Sequence, residues 1–199
     1  MDEVVKKASE YVTGLLTNNL SSEYIYHKLS HTLQVVDNVD EIGRNSGITD
    51  DELEMLHISA WFHDSGFIRG YKGHERKSIE IADKFLNEYE YPPEKTEIIK
   101  KIISVTNLEN KPVNILEKII RDADILHMGK ERFFEKSFSL KNEWETVGVK
   151  KFTDAEWIES NYSFLTRTVF FTDYAKSKYE EGRQKNIAYL KSLRQNSTV

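Results

Sequence analysis

Cysteine is absent from the 199 residues, which excludes disulfides, thiolate metal sites and a cysteine nucleophile, and is compatible with a reducing compartment. The cytosol is the expected location. No apolar run approaches the ~20 residues that a membrane span requires. The opening Met1-Asp2-Glu3 is acidic rather than basic, so neither a signal peptide nor a membrane anchor is expected. Excess positive charge is missing too. With 28 Lys and Arg against 33 Asp and Glu, the formal net charge is -5, and the chain lacks the wide cationic field on which non-specific nucleic-acid binding depends. A nucleic-acid polymer is therefore not an expected partner. Proline and glycine are scarce, at three and nine, and they fall between apolar segments rather than within them.

What is present is helical periodicity. Apolar residues recur at helical spacing in Leu15 and Leu16; Leu33, Val36 and Val39; Ile79, Ala82, Phe85, Leu86 and Tyr89; Ile98, Ile99, Ile102 and Ile103; and Leu116, Ile119, Ile120 and Ala123. The predicted fold is an all-α, single-domain helical bundle over residues 1–199. A chain of this size can bury roughly 70% of the surface its unfolded form would expose. Eight or nine helices are expected, at about 2–19, 23–45, 50–64, 74–90, 93–105, 113–128, 130–143, 153–166 and 171–195. Asp50-Asp51-Glu52 supplies carboxylates to a helix N-terminus, and Thr153-Asp154-Ala155-Glu156 reads as a capping box. The terminal Gln195–Val199 should fray. Ten tyrosines and ten phenylalanines would allow an exposed face for a homodimer.

Three separated segments carry residues suited to one metal. They are His31, the pair His63-Asp64 within Trp61-Phe62-His63-Asp64-Ser65-Gly66-Phe67, and Asp124. Imidazole nitrogens with carboxylate oxygens suit hydrolytic Mn, Fe, Zn or Mg centres rather than a structural zinc clip. Asp124 lies at the border of the stripe Leu116, Ile120 and Ala123, whereas Asp122 turns to the opposite side. A carboxylate there needs a partner, either a metal cation or an Arg or Lys. On a continuous helix His27 and His31, four residues apart, would share a face. His57 is about 240° around its helix from His63 at 100° per residue, so it is read as structural or exposed. His127, three residues after Asp124, is a candidate to stand behind that carboxylate. Arg69, Lys72, Arg76 and Lys77 could hold a small anion or simply begin a solvated helix; Lys178, Arg183 and Lys185 carry the same two readings. Taken singly, each histidine also has a plainer reading as a hydrogen-bonded core residue.

Tyr26-His27-Lys28-Leu29-Ser30-His31-Thr32, Trp61-Phe62-His63-Asp64-Ser65-Gly66, Gly73-His74-Glu75 with Ser78, and Asp122-Ala123-Asp124 resemble the HD-domain superfamily of metal-dependent phosphohydrolases. The core motifs lie within residues 24–128, with helices over 130–195 expected to pack on that core. The resemblance implies an all-α fold and a divalent ion drawn from Mn, Fe, Zn, Ni, Co or Mg, held by His31, His63, Asp64 and Asp124. The Tyr26-His27 start is similar to that of small bacterial members and of cyclic-nucleotide phosphodiesterases, which implies that His27 protonates the leaving oxygen. Lys28 stands where those families commonly carry Asn, so cyclic-nucleotide specificity is not carried over. His74 and Glu75 match an element that lies beside the metal pocket and are assigned to substrate binding with Arg69 and Lys72.

Members with two metals use additional histidines between the dyad and the last Asp. Only His74 stands in that interval here, and Thr106 and Asn107 occur near the place where another would be needed, so one metal is expected rather than two. The implied activity is hydrolysis of a nucleotide or other small phosphoester, mono- or diester, with Asp64 and His27 as the catalytic pair. Two alternatives stand beside it: a nucleotide-binding regulatory module with the same pocket, and a di-iron oxygenase, which would require two irons.

Overall fold

The structure is a computed structural model and describes residues 3–196. Among these residues there are nine α-helices and no strand: α1 Glu3–Asn19, α2 Leu29–Arg44, α3 Asp50–Phe62, α4 His74–Glu88, α5 Pro93–Ser104, α6 Ile115–Ile125, α7 Phe133–Thr146, α8 Asp154–Arg167 and α9 Asp173–Asn196. Short 3-10 turns follow α3 at Ser65–Arg69 and α6 at Leu126–Gly129. The all-helical architecture expected from the periodicity is the one observed. Residue 2, the expected start of the first helix, and residues 197–199 of the expected frayed end lie outside the described residues, while Gln195 continues α9. No helix of the described residues is long and apolar enough to cross a membrane.

The chain divides into two compact units. One contains the described residues up to Ser22 with His27–Asp124, and the other contains Glu23–Tyr26 with the described residues from Ile125 onward. The chain passes between the units at Ser22, at Tyr26 and, within α6, at Asp124.

The first unit is organised around α3. This helix buries Leu53, Met55, Leu56, Ile58, Ser59, Ala60, Trp61 and Phe62, so it is apolar on nearly all sides and can be stable only as a core helix. It packs against α1, α2, α4 and α5. Its start is fixed by a capping box in which Thr49 Oγ1 accepts from the Glu52 N–H while the Glu52 carboxylate accepts from the Thr49 N–H. Its last turn delivers His63 and Asp64 into the interior.

Helix α2 begins later than expected. The apolar spacing predicts helix over residues 23–28, but Lys28 is extended, with φ -106 and ψ 171. The Tyr26 N–H donates 2.7 Å to the Glu143 carboxylate rather than to a helical carbonyl. Tyr24 and Tyr26 are buried, so packing in the second unit outweighs the local helical preference of this segment. The apolar face of α2 also differs: Val35, Val39 and Ile42 are buried with His31, Thr32 and Asn38, whereas Leu33 is exposed. Ile98 is exposed as well, and α5 uses Ile99, Ile102 and Ile103 instead.

In the second unit α9 packs on α8 and on the Leu126–Gly129 turn. Trp157, Leu165, Phe133, Phe170, Ala175 and Leu190 form its interior. Thr153 forms the expected capping box with Glu156. Arg183 is buried and donates to Glu180 and to the Leu165 and Thr168 carbonyls, so it acts within this unit's framework rather than as a solvated side chain.

At Gly182 a Cβ would collide with the Gly129 carbonyl oxygen and lie 2.9 Å from its carbonyl carbon. Gly182→Ala ordinarily gains helix propensity, yet here overpacking should reverse the sign and cost about 1–3 kcal/mol, measurable as a lowered midpoint in urea unfolding.

Candidate metal centre

His31, His63, Asp64 and Asp124 converge within the first unit. His31 lies in the first turn of α2, His63 and Asp64 leave the end of α3, and Asp124 stands near the C-terminus of α6. His31 Nε2 is 3.1 Å from Asp124 Oδ1 and 3.4 Å from Asp64 Oδ2. His63 Nε2 is 3.2 Å from Asp64 Oδ2 and 3.8 Å from Asp124 Oδ1. One ligand atom from each of His31, His63 and Asp124 lies within 4.8 Å of the others, the only such group of three among the described residues.

Local bonding orients these candidate ligands. His63 Nδ1 lies 2.7 Å from the Ala60 carbonyl, an arrangement in which Nδ1–H donates and Nε2 is turned toward the cluster. Asn38 Nδ2 donates 2.8 Å to the Ala123 carbonyl, tying the residue before Asp124 to the helix that carries His31. The Gly66 N–H donates 2.8 Å to Ser78 Oγ, and a Cβ at Gly66 would lie 2.7 Å from the Ser78 nitrogen and collide with the His74 carbonyl. Only glycine permits this approach between the turn after the dyad and the start of α4.

The cluster fits a cation. His63 is completely buried and Asp64 nearly so, and His63 Nε2 and Asp64 Oδ2 are buried atoms without a hydrogen-bond partner. Such atoms are costly to leave unsatisfied. A cation accepting both lone pairs would satisfy them, and a mixed nitrogen and oxygen set is chemically suited to a divalent ion.

The remaining sequence candidates distribute unevenly. His27 stacks on Phe67, with ring centroids 4.2 Å apart, and meets His31 edge-on at 5.9 Å; it reaches this place from the segment before α2, not through helical spacing. His74 Nε2 is 3.6 Å from Asp64 Oδ1, and its Nδ1 lies 3.1 Å from the Tyr71 carbonyl and 3.6 Å from Glu75 Oε2. Arg69 instead directs its guanidinium to Glu80 at the surface, 3.2 Å away, and Lys72 is exposed. Lys77 caps the turn by donating to the Arg69 and Gly70 carbonyls. His57 pairs with Asp40 at 3.2 Å, and His127 stacks on Phe133 and meets Tyr26 edge-on in the second unit. Asp122, expected to turn away from the interior while Asp124 faces inward, is instead fully buried and Asp124 is the more exposed of the two.

Two contributors were not assigned roles from sequence. Asn38 left a signal, a polar residue seven positions after His31 within the buried face Val35, Val39 and Ile42. Phe67 left none beyond its place in the motif.

The geometry defines a helical protein with a buried, oxygen- and nitrogen-lined centre. The family model described as HD domain matches residues 29–129, just over half of the chain and a span that includes His31, His63, Asp64 and Asp124. The chain belongs to the HD-domain family, within the superfamily of metal-dependent phosphohydrolases, whose members bind divalent metals. A crystal structure of a Lactobacillus plantarum protein, a structural-genomics target, shares the fold with a TM-score of 0.75 at 16% identity, over 100% of this chain and 98% of that one. No curated protein sequence matches the chain significantly.

In the metal-free cluster, burial opposes the charged form of His63, but Asp64 and Asp124 outweigh it and lift its pKa to about 9 from 6.5. Burial likewise opposes the charged forms of Asp64 and Asp124, yet the histidines hold both below their usual 3.8. His63 therefore contributes stability below pH 6.5 that is lost as pH rises toward about 9, whereas the two carboxylates contribute above pH 3.8 and lose it as pH falls. Melting temperatures of metal-free protein should fall between pH 6.5 and 9 more steeply than those of His63→Gln. Added divalent ion should release protons and bind more tightly across that interval; calorimetry in buffers of different ionisation enthalpy would detect the release, and an unchanged affinity would contradict it.

Proposed function

We propose that the protein hydrolyses a phosphoester of a nucleotide or another small phosphorylated metabolite, using one divalent ion. The observation that carries this reading is the buried His63-Asp64 pair, whose inward Nε2 and Oδ2 lack hydrogen-bond partners beside His31 and Asp124. His31, His63, Asp64 and Asp124 are the residues to hold the ion. When bound, such an ion polarises phosphoryl oxygens and lowers the pKa of water.

The chain's own groups supply the proton transfers. Asp64 is the candidate to orient the attacking water and accept its proton, since its second oxygen, Oδ1, faces His74 rather than His63. His27 lies at the edge of the cluster, half-exposed, and is the candidate to donate a proton to the leaving oxygen. His74, 3.6 Å from Asp64, is the candidate imidazole to contact the phosphate. With Arg69 paired to Glu80, this role falls to His74 before Arg69. Glu75 approaches the other His74 nitrogen and supports its orientation.

Asp64→Ala should lose both bound metal and turnover while keeping the helical circular-dichroism spectrum; retained full hydrolysis would overturn the mechanism. His27→Ala should keep its metal and lose about 10²- to 10⁴-fold in rate on an alkyl phosphoester, a usual range for general acid catalysis. It should lose much less on a 4-nitrophenyl ester, whose leaving group needs no proton.

A further inference from the structure

Phe67 lies three residues beyond the dyad and is 1% exposed. Its ring is in near-parallel contact with two imidazoles from separate segments. The His27 ring stacks on it at 4.2 Å with planes 22° apart, and the His74 ring at 3.9 Å with planes 20° apart. The two imidazoles are themselves 6.2 Å apart. His27 precedes α2 in irregular backbone, and His74 opens α4 after Gly73, whose φ is +66. The buried ring meets both.

Aromatic stacking restricts the torsions of the rings involved, and a fully enclosed phenylalanine has little freedom of its own. Phe67 is also linked covalently to Asp64 through the short Ser65–Arg69 turn, which the Gly66–Ser78 hydrogen bond holds against α4. The position of the dyad is thereby passed to both imidazoles.

We propose that Phe67 is a positioning residue: by stacking on both rings it sets His27 and His74 at a fixed separation beside Asp64, so that the proton donor and the phosphate-contacting imidazole meet the same phosphoester. The inference rests on the hydrolase reading for its catalytic consequence, but the stack itself can be tested without metal or substrate.

The test replaces Phe67 by Leu, which keeps most of the volume and removes the planar face. In proton NMR of the metal-free protein, the His27 and His74 ring signals, assigned with His27→Gln and His74→Gln, should lie upfield in the wild type and both move downfield in Phe67→Leu. With metal restored, the variant should keep its metal content and KM. Its kcat on an alkyl phosphoester should fall about tenfold or more relative to a 4-nitrophenyl ester, the size expected when a catalytic group is displaced by a fraction of an ångström to an ångström. Should the Leu variant not fold, Phe67→Met fills the space with a flexible chain and carries the same expectation. Unmoved His27 and His74 signals would overturn the stack. Moved signals with equal losses on both esters, or with loss of metal, would overturn the positioning role in favour of plain packing. A wild-type protein inactive on every phosphoester overturns the hydrolase reading and the catalytic consequence with it, while the NMR comparison still decides whether Phe67 sets the two rings.

Discussion

Two carboxylates and two imidazoles gathered in one place, with His31, His63 and Asp64 buried and Asp124 at the border of the interior, are the constraint on which the first unit depends. A buried carboxylate is tolerated only when its charge is matched and its oxygens have partners. In the metal-free cluster the match comes from histidine, which is why His63 is driven toward its protonated form and Asp64 and Asp124 toward their charged forms. The match is incomplete, since His63 Nε2 and Asp64 Oδ2 have no hydrogen-bond partner. An inward histidine nitrogen and carboxylate oxygen left in this state are chemically suited to a divalent cation.

Keeping that cluster together requires rigid delivery from three helices. Helix α3 is apolar around most of its circumference, so it cannot rotate to expose the dyad without exposing Leu56, Ile58 or Phe62. The tie from Asn38 to the Ala123 carbonyl holds α6 against α2 at the level of the candidate ligands. The glycine at position 66 lets the chain leave α3 and touch the start of α4 immediately. Each device is a packing or hydrogen-bonding solution to one problem: bringing polar atoms together inside an apolar unit without leaving the backbone unsatisfied.

The outer residues of the site are held differently. His27 and His74 come from irregular or helix-initial backbone and are half-exposed, and their shared contact is the buried ring of Phe67. The proposed ligands thus lie within regular helices or directly at their ends, while an aromatic contact orders the groups assigned to substrate. This division suits a centre in which the ion needs fixed geometry and the substrate must enter and leave.

The sequence by itself determined the helical class, because period-3.6 apolar spacing and few breakers allow little else. It also nominated His31, the His63-Asp64 pair and Asp124, through residue types suited to one metal, the cost of a carboxylate beside the α6 stripe and the resemblance to the HD-domain superfamily. Tertiary structure decided what local spacing could not. Four-residue separation made His27 and His31 neighbours on an expected helix, yet the segment is unwound by Glu143, 117 positions away from the Tyr26 amide it binds. Basic residues after the dyad gave no sign that Arg69 would turn to Glu80, and the choice of Val35 over Leu33 for the buried face of α2 waited on which neighbour it packed against. These outcomes turn on contacts between residues distant in the chain, whose energies are comparable to the local preferences they override, so no reading of neighbouring residues alone could rank them.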